Sequence, residues 1–321
     1  MATASIEIRK EELLAAALDS GFIRARIAAP FIPPASQAPL EFSRGYQEGA
    51  PSLLMVALAY PAAGASSPPD TPGPVRGDRG SAQPGTDLGR IAPFAQGNYY
   101  AEAVRRLQGL AKSLRGRFAG NRFGNRSEYR IICNSPVPEK PLAQACGLGR
   151  LGRNGLIITP EAGSRVILAG LTLPFDLEGD GPLPGDPCAA CGSAEQSACA
   201  ANCPTKALPG DGSLLKERCI QWYASGKGER VPPEIARNWA GRFYGCTECL
   251  DACPHNGRSV VAAETGVGLL PEWVDAEAIL AMDDRELKDF VRGSALGMAW
   301  LGPEGLRRNA SLALGRYEAP D

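Results

Sequence analysis

Apolar positions along this chain follow two rhythms. Ile6, Leu13, Leu14 and Leu18 recur at helical spacing and Gly21 supplies a stop, which predicts a charged amphipathic helix over residues 5–20. Val104, Leu107, Leu110, Ala111 and Leu114 repeat the pattern and predict a second helix over 100–118. "SLLMVALAY" (52–60) is instead an unbroken apolar run of strand length, which predicts a strand buried on both faces. "YRIIC" (129–133), "GLIIT" (155–159) and "RVILAGLTL" (165–173) also read as strands, with a short helix at "EKPLAQAC". Residues 61–89 are rich in Pro, Gly and Ser and predict a long surface loop. A Gly/Pro-rich connector, 174–187, leads into a cysteine-rich stretch; after residue 260 the rhythm is helical again, with Asp283 and Glu286 spaced as a capping pair.

Ten cysteines change this picture, because nothing suggests secretion. The N-terminus lacks a basic segment followed by an apolar core, and no run approaches the roughly 18 apolar residues of a membrane span. A cytoplasmic protein with reduced thiols is the expectation, which disfavours a disulfide scaffold. Charge is balanced, 34 basic against 35 acidic residues, so no global attraction to nucleic acid is expected. A single histidine, His255, argues against Ser–His–Asp or Cys–His catalysis and against multi-histidine metal sites. It is expected to flank the cysteine site.

Eight cysteines form a pattern: Cys188-x2-Cys191-x7-Cys199-x3-Cys203-Pro, then Cys219, then Cys246-x2-Cys249-x3-Cys253-Pro. The repeated C-x3-C-P ending is that of two-cluster ferredoxins, where the last cysteine of each run crosses to the other 4Fe–4S cluster. By that rule Cys188, Cys191, Cys199 and Cys253 hold one cluster, and Cys203, Cys219, Cys246 and Cys249 the other. The x7 interval is five residues longer than the ferredoxin run, and "GSAEQSA" is small and polar enough to loop out. Two four-thiolate zinc sites are the rival reading. Upstream, Gly147-x-Gly149-x2-Gly152 formally matches a dinucleotide fingerprint, but a helix precedes it and a strand follows. That order suits a turn where backbone approaches a bulky cofactor, beside Arg150, Arg153 and Asn154.

At these residues the chain resembles the epoxyqueuosine reductase family, as a divergent short member. "GRIAPFA" (89–95) is similar to that family's GRIARYA. "CNSPVPEKPLAQACGLGRLGRNGLII" resembles its D-T/S-G-P-V-L-E-R followed by AGLGWIGKNTLLI; "GSRVILAGLTLPFDL" and "FVRGSALGMAWLGPEGLRRNASLALGR" also match in order, as does Cys219 in "RCIQWY". The resemblance implies an α+β fold: a mixed α/β cobalamin-binding core related to reductive dehalogenases (1–177), a ferredoxin-like module with two 4Fe–4S clusters (178–260) and a helical C-terminal segment (261–321). It implies a cobalamin-dependent oxidoreductase of queuosine biosynthesis that reduces epoxyqueuosine in tRNA. An external donor of flavodoxin or ferredoxin type would feed it, with no membrane involved. Gly147, Gly149, Gly152, Arg153, Asn154 and Gln221 are the implied cobalamin-binding positions. Cys133 stands where the family has the aspartate that supplies protons. Asn98 and Tyr100 replace the acidic and histidine positions of the family's RGRDYH, the "GYHGxMxYL" segment has no clear counterpart, and the family's basic tRNA-binding repeats are not found. Those departures keep open a relative acting on another small molecule or a corrinoid protein, and a non-catalytic electron carrier.

Overall fold

A computed structural model describes residues 8–28, 52–62, 87–120, 122–226, 230–257, 263, 265–298 and 300–318. Most of the long loop expected over 61–89 lies outside the described residues, as does most of 27–46.

The main sheet has the order β1 (Arg24–Ala28), β2 (Ser52–Ala59), β7 (Val166–Leu173), β4 (Ile131–Ile132), every pair antiparallel. Both faces of β2 are covered, which is why it reads as continuous apolar sequence. Leu54, Val56 and Leu58 enter one core with helices Lys10–Asp19 and Tyr99–Arg117; Leu53, Met55 and Ala57 enter another with helix Glu139–Ala145. Asn98 caps the longer helix by accepting the Ala101 N–H at 3.0 Å. A two-stranded hairpin, β5 (Arg150–Leu151) with β6 (Ile157–Ile158), hangs below the second core.

The second sheet, β8-β3-β9, draws one strand from each sequence region: β3 (Leu88–Ile91), β8 (Arg242–Tyr244) and β9 (Trp273–Asp275). β3 runs parallel to β8 and antiparallel to β9. Helices Ala276–Ala281, Asp284–Phe290 and Pro303–Ala313 pack their apolar faces on it, and Asp283 with Glu286 forms a complete capping box. The C-terminal region is therefore more than the helical segment expected from the sequence: it supplies an edge strand and shares one core with residues 91–95 and 243–244.

Candidate active site beside the cysteine module

The cysteine region is built from very short pieces. Helices Ala198–Ala201, Ile220–Ala224 and Glu248–Asp251 each run four or five residues, too short to stand without tertiary support. Their role is to turn cysteines inward. Burial raises the thiol of Cys253, whose charge partners include Cys199, Cys188 and Cys191. Burial likewise raises Cys249, most strongly of the eight, with Cys246, Cys219, Cys203 and Cys199 around it. Cys219 feels Cys203, and Cys246 feels Cys219. The structure thus brings together all eight cysteines of the motif in two neighbouring groups. Among the described residues no three His, Cys, Asp or Glu side chains close on a point one metal ion could occupy.

Backbone N–H groups aim at the sulfurs. Arg153 N–H points to Cys188 Sγ at 3.4 Å and Ala207 N–H to Cys203 Sγ at 3.2 Å. Further N–H groups reach Cys219 from Trp222 and Gln221, Cys246 from Glu248, and Cys253 from His255. Such donors favour the thiolate that a metal requires. His255 itself flanks the module, its Nε2 lying 2.7 Å from the Pro187 carbonyl oxygen.

The glycine-rich turn packs tightly against neighbouring chain. A Cβ at Gly147 (φ +70°) would stand 2.4 Å from the Gly181 carbonyl oxygen, one at Gly149 2.7 Å from that of Ile158, and one at Gly152 2.5 Å from Ile158 Cδ1. At these three positions neighbouring chain packs where a side chain would lie. Arg153 holds the Gly192 and Ser193 carbonyls at 2.7 and 3.0 Å, so it pins the long x7 loop. Asn154 is buried, donating to Ser164 Oγ at 3.3 Å and accepting from Leu156 N–H at 3.1 Å. The turn is a bracket between the main sheet and the cysteine module.

Gln221 lies elsewhere, in the wall of a cavity of about 490 Å³. Phe94, Ala95 and Tyr100 come to this cavity from the core, Asn134 from the loop after β4, Trp222, Ser225 and Gly226 from the module, and Tyr244, Ala295 and Trp300 from the second sheet and its helices. Gln221 is two residues from Cys219 and Tyr244 two from Cys246, so the cavity abuts the cysteines. Gln221 Oε1 is buried with no hydrogen-bond partner. Burial raises the hydroxyls of Tyr100, to about 12, and of Tyr244, where the neighbouring Trp300 and Gln221 side chains act the other way.

Cys133, the expected proton donor, is not in this wall. Its Sγ points to the Tyr100 carbonyl oxygen at 3.9 Å, and its side chain packs against the first core. Burial, with the Glu139 charge beside it, pushes the thiol up to about 12. The next residue, Asn134, adopts a left-handed φ of +48° and faces the cavity instead. Glu139 holds this loop by accepting Ser135 N–H at 3.2 Å. Asn134 and Tyr244 escaped sequence reasoning, whereas Tyr100 stands at the histidine position of the family motif noted above. Cys146 is a fully buried thiol of the second core.

Comparison with known proteins agrees with this arrangement. A family model, the 4Fe-4S double cluster binding domain, matches residues 187–256. An epoxyqueuosine reductase of Staphylococcus aureus is 29% identical over 84% of this chain and 65% of its own length. The Bacillus subtilis protein of the same name is 28% identical over 84% of the chain and 64% of its own length. The chain thus spans just under two thirds of the length of these relatives. Among solved structures, epoxyqueuosine reductase from Streptococcus thermophilus superposes with a TM-score of 0.74 over 95% of this chain and 80% of that one, at 22% identity. In sequence over most of its length, and in fold over nearly all of it, this chain is similar to the epoxyqueuosine reductases, as its motifs imply.

Proposed function

We propose that this chain is a cobalamin- and iron–sulfur-dependent oxidoreductase that reduces epoxyqueuosine in tRNA to queuosine. The observation that carries the reading is the cavity set against the cysteine module: electrons held by thiolate-bound iron would have two residues of chain to cross at Gln221 or Tyr244 to reach it. A further epoxyqueuosine reductase, solved with an epoxyqueuosine-modified tRNA stem loop, shares this fold with a TM-score of 0.71 over 96% of this chain and 81% of that one, at 25% identity. That likeness supports tRNA as the substrate.

In this reading Cys188, Cys191, Cys199 and Cys253 hold one 4Fe–4S cluster, and Cys203, Cys219, Cys246 and Cys249 the other. The match of the 4Fe-4S double cluster binding domain to residues 187–256 supports cubanes over tetrahedral zinc sites. Two features of the cavity support cobalamin against its wall. The wall is rich in flat aromatic surface, from Phe94, Tyr100, Tyr244 and Trp300, and the unpartnered Gln221 Oε1 awaits a donor such as a corrin amide. When bound, cobalamin would supply a strongly reducing metal centre for the epoxide-bearing ring. Gly147, Gly149, Gly152, Arg153 and Asn154 would serve it indirectly, by fixing the module against the core. Residues 1–177, 178–260 and 261–321 act as core, cluster module and C-terminal segment, joined by the shared second sheet. A one-electron donor of flavodoxin or ferredoxin type is the expected partner, in the cytoplasm; among the described residues no helix is long and apolar enough to cross a membrane.

The second reading, a related reductase acting on a different small molecule or a corrinoid protein, draws on one observation: the position of the family's acid is a thiol turned away from the cavity. Anaerobic incubation of iron- and cobalamin-loaded protein with epoxyqueuosine-containing tRNA and a low-potential reductant separates the two. Appearance of queuosine is expected. Bound corrinoid without turnover favours the second reading, and absence of bound corrinoid favours a plain electron carrier.

A further inference from the structure

We infer that the Tyr100 phenol is the group that delivers a proton to the departing substrate oxygen, a step that rests on the epoxide-reducing function proposed above. The cavity wall itself makes the case. Among the described residues that line it there is no carboxylate, histidine, lysine, arginine or thiol. The protic side chains are the phenols of Tyr100 and Tyr244, the Ser225 hydroxyl, the amides of Asn134 and Gln221, and the indoles of Trp222 and Trp300. Amides and indoles hold their protons too tightly to act as acids near neutrality, and an aliphatic hydroxyl is weaker than a phenol. The Ser225 hydroxyl is also committed, donating to the Gln221 carbonyl at 2.9 Å. Tyr244 is buried, 4% exposed, whereas Tyr100 is half-buried and the more open of the two phenols to the cavity. Tyr100 lines the cavity, and its ring is fixed edge-to-face against Trp300 at 6.5 Å. It is the phenol best exposed to a ligand in the cavity.

The step balances as follows. Converting the epoxide to an alkene breaks two C–O bonds, forms one C=C bond and releases the oxygen as water, consuming two electrons and two protons. The electrons come one at a time from a low-potential protein donor through the cysteine module. The first proton comes from Tyr100, and solvent supplies the second and restores the phenol. The groups that bear on Tyr100 electrostatically are Tyr244, Cys133 and Glu139, with Tyr60 close by. None is cationic, so nothing among them draws the phenol toward ionisation, and burial raises it to about 12. The proton therefore stays on the donor throughout the neutral range.

The test uses the iron- and cobalamin-loaded full chain with an epoxyqueuosine-modified tRNA stem loop. Tyr100→Phe should lower kcat by about 10²- to 10⁴-fold, the usual worth of a positioned general acid. Its affinity for the stem loop, measured by fluorescence anisotropy, and its iron and corrinoid content should match wild type. Trifluorotyrosine at position 100, a more acidic phenol of nearly the same shape, should introduce a falling alkaline limb into the pH profile that wild type lacks. Tyr100→Phe turning over within about threefold of wild type would overturn the assignment and leave the proposed function standing. A pH profile unmoved by trifluorotyrosine would overturn it too. Failure of wild type itself to turn over epoxyqueuosine would instead remove the function, and this step with it.

Discussion

Asn256 accepts the Ser164 N–H at 2.7 Å and donates to the Leu250 carbonyl at 2.8 Å and to Ser164 Oγ at 3.1 Å, all buried. It ties the end of the cysteine module to the entry of β7. Gly163 beside it has φ +59°, and a Cβ there would stand 2.5 Å from the His255 carbonyl oxygen. Asn256→Ala should cost about 2 kcal/mol, because it leaves buried backbone groups unpaired. Urea titration of the loaded protein would measure it, and an unchanged midpoint would show the tether to be idle. Nothing in "CPHNG" announces this role. A sequence names residue types but not where they point, and the same gap hides the exchange at 133–134. The pattern puts a cysteine at the expected acid position. The left-handed turn at Asn134 swings the neighbouring side chain into the cavity and leaves the thiol in the core.

Elements with a dozen or more periodic positions, or with both faces buried, are legible in the sequence alone. The helix expected over 100–118 forms at Tyr99–Arg117, and the run at 52–60 forms β2. The second sheet is not legible in this way. β3, β8 and β9 are three or four residues long, too short for alternation to show, and their pairing joins positions as distant as Arg90 and Trp273. The Tyr99–Arg117 helix also carries a buried carboxylate, Glu102, held by Arg105 and Arg106 at 2.6 Å each. Arg106 reaches on to the Gly21 carbonyl at 2.7 Å, locking the two helices of the first core together. The hydrogen bond from Arg105 leads the causes that hold Glu102 below the usual carboxylate range. A depressed folded value means that folding favours the ionised form. The stabilisation is complete above the unfolded carboxylate range and is lost as pH falls through the lowered folded value. Glu102→Gln should therefore be less stable than wild type by about 2 kcal/mol at neutral pH, with the gap closing on acidification. A gap that stays constant with pH would assign the loss to packing instead of charge.

At the scale of the whole molecule, the main sheet and the cysteine module draw stability from different sources. The sheet rests on two continuous apolar cores. The module has two small clusters: Cys199, Ala200, Cys203, Ala207 and Leu208, in which the cysteines are themselves core residues, and Ile220, Ala224, Val231, Ile235 and Trp239, completed by Leu312. Burial raises Cys188, Cys219, Cys246, Cys249 and Cys253, so without metal these thiols stay protonated and their sulfurs are poorly solvated. Bound iron would reverse that balance: the thiols would give up their protons, hold the metal as thiolates and so crosslink helices too short to persist alone. Removing iron with a chelator under reducing conditions should therefore expose residues 187–256 to hydrogen exchange and proteolysis. Strands β1, β2 and β7 should keep their protection. The x7 loop should open first, because its anchors are the Arg153 hydrogen bonds and the packing of Gly210 against the Ala194 carbonyl. Uniform loss of protection across both regions would mean that one cooperative unit spans the chain and that the shared second sheet couples the module to the core. Unchanged protection in the module would mean that its apolar contacts suffice and that metal is not part of its core.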